Sequence, residues 1–401
     1  MTIIIGMIIG IGSYITLYLI YNFFFLFIYI CFFIKNRHNE RDYLLHQPKA
    51  RFAIIIPAHN EELLIRRLLR SIKDLDYPKD LFKTIVVADN CVDKTYLIAS
   101  EEGAIVIERR DAEHSGKGYA IKYALEKIGM AQYDAVLIVD ADSMIEKHAL
   151  KELNEFIMRG YAIIQCYNGV ANTDESWFTR LENISNNVIN EILYPTKQRL
   201  GLSSCLLGDG MCFLTKILAK YGWDSVTGVE DWEYFARMII NGERIAFARD
   251  ARVYHQESTS LIQATSQRVR WASGRFGIGW KYGFKLFYNG LVHHNIIMLD
   301  ASLALIFPNP SLELNVTIFG FMLSFLHAWI TGRNEFIIWF CCLLLMQFII
   351  FLSGVIFAKE KIKAFLSIFF IPIFLVWKVG IDIFSTLPIG RRKWLQTKRR
   401  I

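Results

Sequence analysis

Charge is what this chain is short of. Only 21% of its 401 residues are Asp, Glu, Lys or Arg, against 53% hydrophobic, with Phe 30 and Trp 9. The shortage is local: residues 3–34 hold no charged side chain, the stretch from about 290 to 386 is strongly apolar, and 50–285 has an ordinary soluble composition. That distribution excludes a wholly soluble protein. The seven cysteines include no C-x-x-C pair, and Cys31, Cys341 and Cys342 lie in the apolar stretches. A zinc cluster and a disulfide framework are thereby excluded, and the soluble part fits a reducing compartment. There is no internal repeat and no low-complexity linker. The first apolar run lacks a small-residue cleavage site and is too long for a signal-peptide core. A dinucleotide loop is also missing, because Leu207-Gly208-Asp209-Gly210 has Gly-x-Gly without the rest of that pattern. Its glycines suit close approach of backbone to a ligand or to another strand.

What is present begins with membrane segments. Residues 1–35 read as an uncleaved anchor, since roughly 20 apolar residues suffice to span. Lys35, Arg37 and Arg41 follow and place the next segment in the cytoplasm by the positive-inside rule. At the other end, Leu314–Thr331, Phe336–Ala358 and Ala364–Ser385 are spanning candidates within a bundle over 291–386. Segment 291–307 carries His293, His294 and Asp300 and is a weaker fourth. Four C-terminal spans return the basic tail 387–401, with Arg391, Arg392, Lys393, Lys398, Arg399 and Arg400, to the cytoplasm, whereas three would export it. Four are therefore expected, although Lys359, Lys361 and Lys363 then fall on the wrong side. A basic tail beyond an apolar span points to anionic headgroups and not to nucleic acid. Between domain and bundle, 261–290 is basic, aromatic and glycine-studded, with Trp271, Phe276, Trp280, Tyr282, Phe284 and Phe287, as in interfacial amphipathic helices.

Within 50–260 the apolar runs Phe52–Ile56, Thr84–Ala88, Ala104–Ile107, Ala135–Val139 and Ala162–Tyr167 read as buried strands. They alternate with helical patterns over Glu61–Leu75, capped by Asn60, from Thr95, over Tyr119–Ile128 and Ile145–Phe156, and over Trp177–Tyr194. The pattern predicts an α/β domain with an open, mostly parallel, Rossmann-like sheet. In such sheets ligands bind beyond the carboxyl ends of strands, where Asp140-Ala141-Asp142 falls. Two acids spaced by one residue suit Mg²⁺ or Mn²⁺ on a diphosphate. They equally suit a strand end with a capping Asp. Glu230-Asp231 opens another helix, where acids also serve as ordinary capping.

Taken in order, Pro57-Ala58-His59-Asn60-Glu61, Asp89 and Asp93, Ser115-Gly116-Lys117-Gly118, Asp140-Ala141-Asp142, Glu230-Asp231 and Gln267…Arg270-Trp271 resemble family 2 glycosyltransferases with a GT-A fold. The likeness is to the membrane-embedded branch of cellulose, chitin and hyaluronan synthases, and its motifs cover roughly residues 50–275. Trp394-Leu395-Gln396-Thr397 is similar to the tail of many bacterial polysaccharide-forming members. Departures are Ala88 in place of an acid, Asn90-Cys91 in place of Gly-Ser, and Val229 where cellulose synthases have Thr.

The resemblance implies an inverting transfer from a UDP-sugar to a growing polysaccharide, processive and coupled to export, with an accessory export subunit as one option. The alternative it leaves open is single addition to a lipid acceptor at the cytoplasmic face. It assigns Asp231 as base with Glu230 beside it, and Asp142 and Asp140 to the metal. Asp89, Lys117, Asp140, Arg270 and Gln267 fall on the donor, and Trp271 on the acceptor. Other readings stay open: a solvated loop lysine for Lys117, a membrane-proximal salt bridge for Arg270, and interfacial anchoring for Trp271. His255 reads as a structural histidine.

Overall fold

The computed structural model describes residues 1–33, 46–307 and 309–386. Lys35, Arg37, Arg41 and the basic tail lie outside the described residues. The strands are β1 (Phe52–Ala58), β2 (Phe82–Asp89), β3 (Ile105–Arg109), β4 (Ala135–Ile138), β5 (Ser143–Ile145), β6 (Ile163–Val170), β7 (Met211–Leu214) and β8 (Ile245–His255). In chain order the helices begin with α1 (Thr2–Phe33), α2 (Ile65–Lys73), α3 (Thr95–Glu101), α4 (Lys117–Lys127) and α5 (Ala149–Met158). Next come α6 (Trp177–Asn187), α7 (Tyr194–Arg199), α8 (Thr215–Tyr221), α9 (Glu230–Ile240), α10 (Leu261–Ile278) and α11 (Phe284–Val292). The last are α12 (Ile296–Ile306), α13 (Pro310–Thr331), α14 (Glu335–Ser353), α15 (Lys361–Ser367) and α16 (Ile371–Thr386).

The apolar runs form one eight-stranded sheet of order β3-β2-β1-β4-β7-β6-β8-β5. β1 to β4 are parallel, β6 is parallel to β8, and β7 and β5 run against their neighbours. Strands such as β1 and β4 are buried on both faces, as a sheet wound with helices requires. The chain builds β1, β2 and β3 to one side and then returns to place β4 on the other side of β1. The crevice beyond β1 and β4 is therefore the switch point where an open α/β sheet takes its ligand.

Several local expectations shift. β1 runs on through Pro57 to Ala58, and Asn60 does not cap α2. Asn60 adopts φ +57° and its Oδ1 accepts from the Val92 amide at 2.8 Å, so α2 begins only at Ile65. Asp142-Ser143 leads into the short β5, paired with β8, so α5 starts at Ala149 and not near Ile145. The 177–194 helix continues through a π-helical segment, Val188–Leu193, into α7.

Among the described residues, four helical stretches are long and apolar enough to cross a membrane: Thr2–Phe32, Pro310–Thr331, Glu335–Phe357 and Lys361–Thr386. The expected span over 291–307 is corrected. Its helix α12 has 11 residues, about 16 Å at 1.5 Å per residue, against a hydrocarbon core of about 30 Å. Asp300 explains where it goes instead: buried, it accepts from Lys197 Nζ at 3.0 Å and from Tyr21 Oη at 2.7 Å. α12 is thereby tied to α7 of the sheet domain and to α1.

Candidate functional site

The site grows from β4. Where its apolar run ends, the Asp140 amide donates to Asp209 Oδ1 at 2.9 Å and the Ser143 hydroxyl to Asp209 Oδ2 at 2.8 Å. Asp209, 2% exposed, holds both sides of the Asp-x-Asp turn in place. The antiparallel pairing of β4 with β7 brings the two motifs together across 69 residues of sequence. Asp209 was missed as a functional residue, although it stands between the two glycines of Gly208-Asp209-Gly210. One of the two uses foreseen for those glycines, close approach to another strand, is met at Gly210. At Gly208, φ +86°, an added Cβ would lie 3.2 Å from Asp231 Oδ2 and 3.6 Å from Lys117 Nζ; at Gly210 it would lie 2.8 Å from Cys166 Cβ on β6.

Lys117 opens α4 and reaches across the crevice. Its Nζ lies 2.5 Å from Asp140 Oδ1 and 3.6 Å from Glu230 Oε1, and it donates to the Gly208 carbonyl at 2.6 Å. Burial alone would lower this ammonium, but Asp140 and Glu230 outweigh it and raise its pKa. Asp140 is pushed up to about 7 by burial and by the charges of Asp209 and Asp142, against the pull of Lys117. Asp231, at the first turn of α9, is pushed up to about 6 by burial and then by Glu230, with Lys117 and Arg275 pulling the other way. Five carboxylates thus face few cations. Among the described residues no group of three or more His, Cys, Asp or Glu side chains forms a cage for a metal. Asp140 and Asp142 fit instead a divalent ion held by one or two carboxylates and completed by phosphate oxygens, and the excess negative charge suits such an ion.

α10 closes the crevice. A Cβ on Gly274 would lie 2.5 Å from Val229 Cγ2, and one on Gly228 would lie 3.4 Å from Arg270 Cγ. Glycine at both places lets the helix bearing Gln267, Arg270 and Trp271 press against the loop that leads into Glu230-Asp231. The charge on Arg270 is felt by Glu230, Asp140 and Asp231. Trp271 carries the Arg268 guanidinium over its ring at 4.7 Å. Arg268 is anchored to Glu257 at 2.8 Å and Glu182 at 3.2 Å, so part of the indole expected to face a sugar is already engaged.

Two foreseen residues are also bound into the framework. Asp89 is fully buried, and its Oδ1 takes a 2.6 Å ion pair from Arg109, a partner with no motif to announce it. Asp93 accepts from the Thr95 amide at 3.0 Å and the Glu62 amide at 3.1 Å, fastening α3 to the turn before α2. His255, across the β5/β8 ladder from Ser143, pairs its Nδ1 with Asn168 Oδ1 at 2.7 Å and lies 3.6 Å from Glu257.

Comparison with known proteins gives this arrangement a context. The sequence model of the family described as "Glycosyltransferase like family 2" matches residues 48–274. A probable glycosyltransferase, YdaM, of Bacillus subtilis is 29% identical over 252 residues, 60% of this chain and 59% of the relative. A β-monoglucosyldiacylglycerol synthase of Trichormus variabilis is 25% identical over 253 residues, 61% and 52% respectively. The matches thus span only about half the length of these curated relatives. The solved mannosyltransferase PcManGT from Pyrobaculum calidifontis, in complex with GDP-Man and Mn²⁺, superposes with TM-score 0.57 over 95% of this chain and 100% of that one. At 15% identity that likeness is one of fold.

Proposed function

The chain belongs to the family 2 glycosyltransferases, and on that premise we propose that it transfers a single sugar from a UDP-sugar to a hydroxyl of a lipid acceptor at the cytoplasmic face of a membrane, with inversion at C1. The observation that carries this reading is the convergence of Asp140, Glu230, Asp231 and Asp209 around the Lys117 ammonium at the switch point of the sheet. The bond from C1 to the diphosphate breaks, its electron pair leaves with UDP, and the acceptor oxygen bonds to C1 from the opposite side. Asp231 takes the hydroxyl proton, a role that suits a carboxyl raised into the neutral range. Lys117 and Arg270 meet the negative charge of the leaving diphosphate. A Mg²⁺ or Mn²⁺ ion held by Asp142 and Asp140 would add Lewis-acid stabilisation of that leaving group. Asp209 keeps the Asp-x-Asp turn in register, and Gln267 lies one turn ahead of Arg270 and Trp271 on α10.

The membrane helices favour a lipid acceptor. α1, α13 and α14 pack through Ile8, Ile15, Leu19, Phe340 and Leu343, with Gly12 against Trp339 and Gly320 against Phe340. Close packing, with polar side chains such as Tyr14 and Glu313, Trp339 and Thr16, and Gln347 and Thr317 bonded to one another across the helices, supports anchoring more than conduction of a glycan. Beside the site, Trp280, Phe284 and Phe287 are exposed on the helical run that continues α10, as residues in contact with lipid would be. The basic residues Lys35, Arg37 and Arg41 after the first span support a cytoplasmic catalytic domain. The second reading, processive polymerisation with export, rests on Gln267, Arg270 and Trp271 lining one helix at the crevice.

The test is nucleotide release by the purified full chain in detergent with Mg²⁺ or Mn²⁺, across UDP- and GDP-sugars, with product length read on a gel. Release from a UDP-sugar with short lipid-linked products is expected. A long polymer would favour the second reading, and no release from any donor by folded protein would overturn both.

A further inference from the structure

One cation at the site has no role in the transfer described above. Arg275 lies one helical turn beyond Trp271 on α10. Its guanidinium carbon sits 4.6 Å from the ring of Trp232, the residue after the base, and 6.0 Å from the ring of Trp271. Unlike Arg268, it makes no hydrogen bond or ion pair with any described residue, and its Nε is buried without a partner, as is the Trp232 Nε1. Arg275 is half-buried, a guanidinium keeps its charge, and donors that no protein group meets are open to a ligand. Contact with the Trp232 ring holds it in place while leaving its terminal N–H groups unspent.

Arg275 does not duplicate Arg270. Five residues apart, the two side chains leave the helix about 140° from each other. Arg270 touches the loop before Glu230, and its charge is felt by Glu230 and then by Asp140. For Arg275 the leading acid is Asp231, and its other neighbours are Tyr194 and Cys205. Cys205 in turn borders Lys197 and Asp300, and Asp300 is the residue that binds Tyr21 of the anchor α1. Arg270 therefore meets the Glu230-Asp231 pair from Gly228, before it, and Arg275 from Trp232, after it. Trp280, 79% exposed, follows five residues later on the same helical run, about 8 Å along the axis, and an exposed indole there is placed to meet lipid.

We propose that Arg275 is the recognition point for a phosphate on the acceptor, so that the acceptor class is an anionic, phosphate-bearing lipid whose free hydroxyl is glycosylated. The crevice already holds Asp140, Asp142, Asp209, Glu230 and Asp231, and such an acceptor would be repelled unless a cation faced it on its own side. A guanidinium with an open edge binds a phosphate through two parallel N–H bonds, and a phosphate fixed at Arg275 would hold a nearby headgroup hydroxyl toward Asp231. The phosphate takes no part in the bond changes.

This inference rests on the transfer proposed above, and the experiment separates the two. Full-length protein in neutral detergent is given lysophosphatidylglycerol or monoacylglycerol of the same acyl chain, both carrying free hydroxyls and only the first a phosphate. Equilibrium binding and donor-dependent UDP release are both measured. Wild type is expected to bind lysophosphatidylglycerol at least tenfold more tightly. Arg275→Gln is expected to remove that margin, raising KM for the phosphate-bearing acceptor about tenfold with little change in kcat, and Arg275→Lys to restore part of it. Lys285→Gln, which removes an exposed cation of the same helical run, is expected to keep the wild-type ratio. Equal affinity of wild type for the two lipids, or equal losses with both in Arg275→Gln, would overturn the inference and leave the transfer standing. A binding margin that depends on Arg275, without UDP release from any donor, would overturn the transfer and uphold the phosphate site.

Discussion

At the scale of single residues, the site is governed by where carboxylates sit relative to one ammonium. Asp231 is the most informative, because a base works only when deprotonated. With its carboxyl pushed up to about 6, kcat/KM is expected to fall as pH drops through about 6 and to level off above 7, read from UDP release between pH 5 and 8. Asp231→Asn should flatten that limb and lower turnover by about 10²–10⁴-fold, the range of general-base contributions. A variant that folds and keeps full activity removes Asp231 from the mechanism. Asp89 calls for a different kind of loss. Its pair with Arg109 is buried on both sides, 0% and 7% exposed in the side chains. Asp89→Asn leaves the guanidinium only the part-exposed Asp111, 3.0 Å away, and taking one partner from a buried hydrogen-bonded charge pair costs about 1–3 kcal/mol. Denaturant unfolding should show that loss of stability whether or not a donor is present, whereas a residue serving only to bind the donor would leave apo stability untouched. Lys117, Asp140, Glu230 and Asp231 were legible because acids and a lysine at strand ends and helix starts are conspicuous. Arg109 and Asp209 were not, because each acts through a partner 20 or more positions away that only strand pairing brings near.

At the scale of elements, the sequence foretold where strands run but not how helices begin, lengthen or dock. Apolar runs fix a buried strand by themselves, whereas the start of α2 depends on Asn60 adopting a left-handed backbone and giving its side chain to Val92. The π-helical segments Val188–Leu193 and Gly279–Gly283 leave no mark in the periodicity. α12 was taken for a span to satisfy the charge rule for the basic tail despite its polar residues, and its single acid was decisive for a reason that only Lys197 supplies. The docking of α10 depends on glycine. An added Cβ at Gly274 falls 2.5 Å from Val229, whose branched side chain has little freedom to turn away. Gly274→Val is therefore expected to push α10 off the Glu230-Asp231 loop and to cut kcat by at least tenfold. The protein should stay folded by circular dichroism and gel filtration, since most of the sheet core lies elsewhere. Wild-type turnover in that variant would show that α10 need not touch the loop.

At the scale of the whole molecule, the question is how many of the four apolar stretches cross. Charge counting demanded an even number at the C-terminal end and recruited α12 to reach it; α12 is too short to serve. The packing of the last stretch restores the even number another way. α15 and the residues before it lie against α6 of the catalytic domain, with Leu181, Ile184, Val355, Ala358 and Ala364 in one apolar cluster. Trp177 stacks on Phe370 at 4.9 Å, and Phe178 meets Phe374 and Trp377. Trp377 Nε1 then donates to Thr265 Oγ1 of α10 at 3.0 Å, so α16 runs beside the helix that carries Arg270 and Trp271. Its other side exposes Ile373, Val376, Ile383 and Phe384. A helix with one face on the catalytic domain and an apolar face outward is placed to lie at the membrane surface. We therefore expect only α1, α13 and α14 to cross, with Lys359, Lys361 and Lys363 on the cytoplasmic side, as the charge rule asks. With cysteine introduced singly at Arg333 or Lys363 in a chain otherwise free of cysteine, a membrane-impermeant maleimide added to intact cells should label position 333, in the turn after α13, and spare 363. Inverted vesicles should reverse the pattern. Labelling of 363 from outside the cell would place α15 across the membrane and separate α16 from the catalytic helix it packs on.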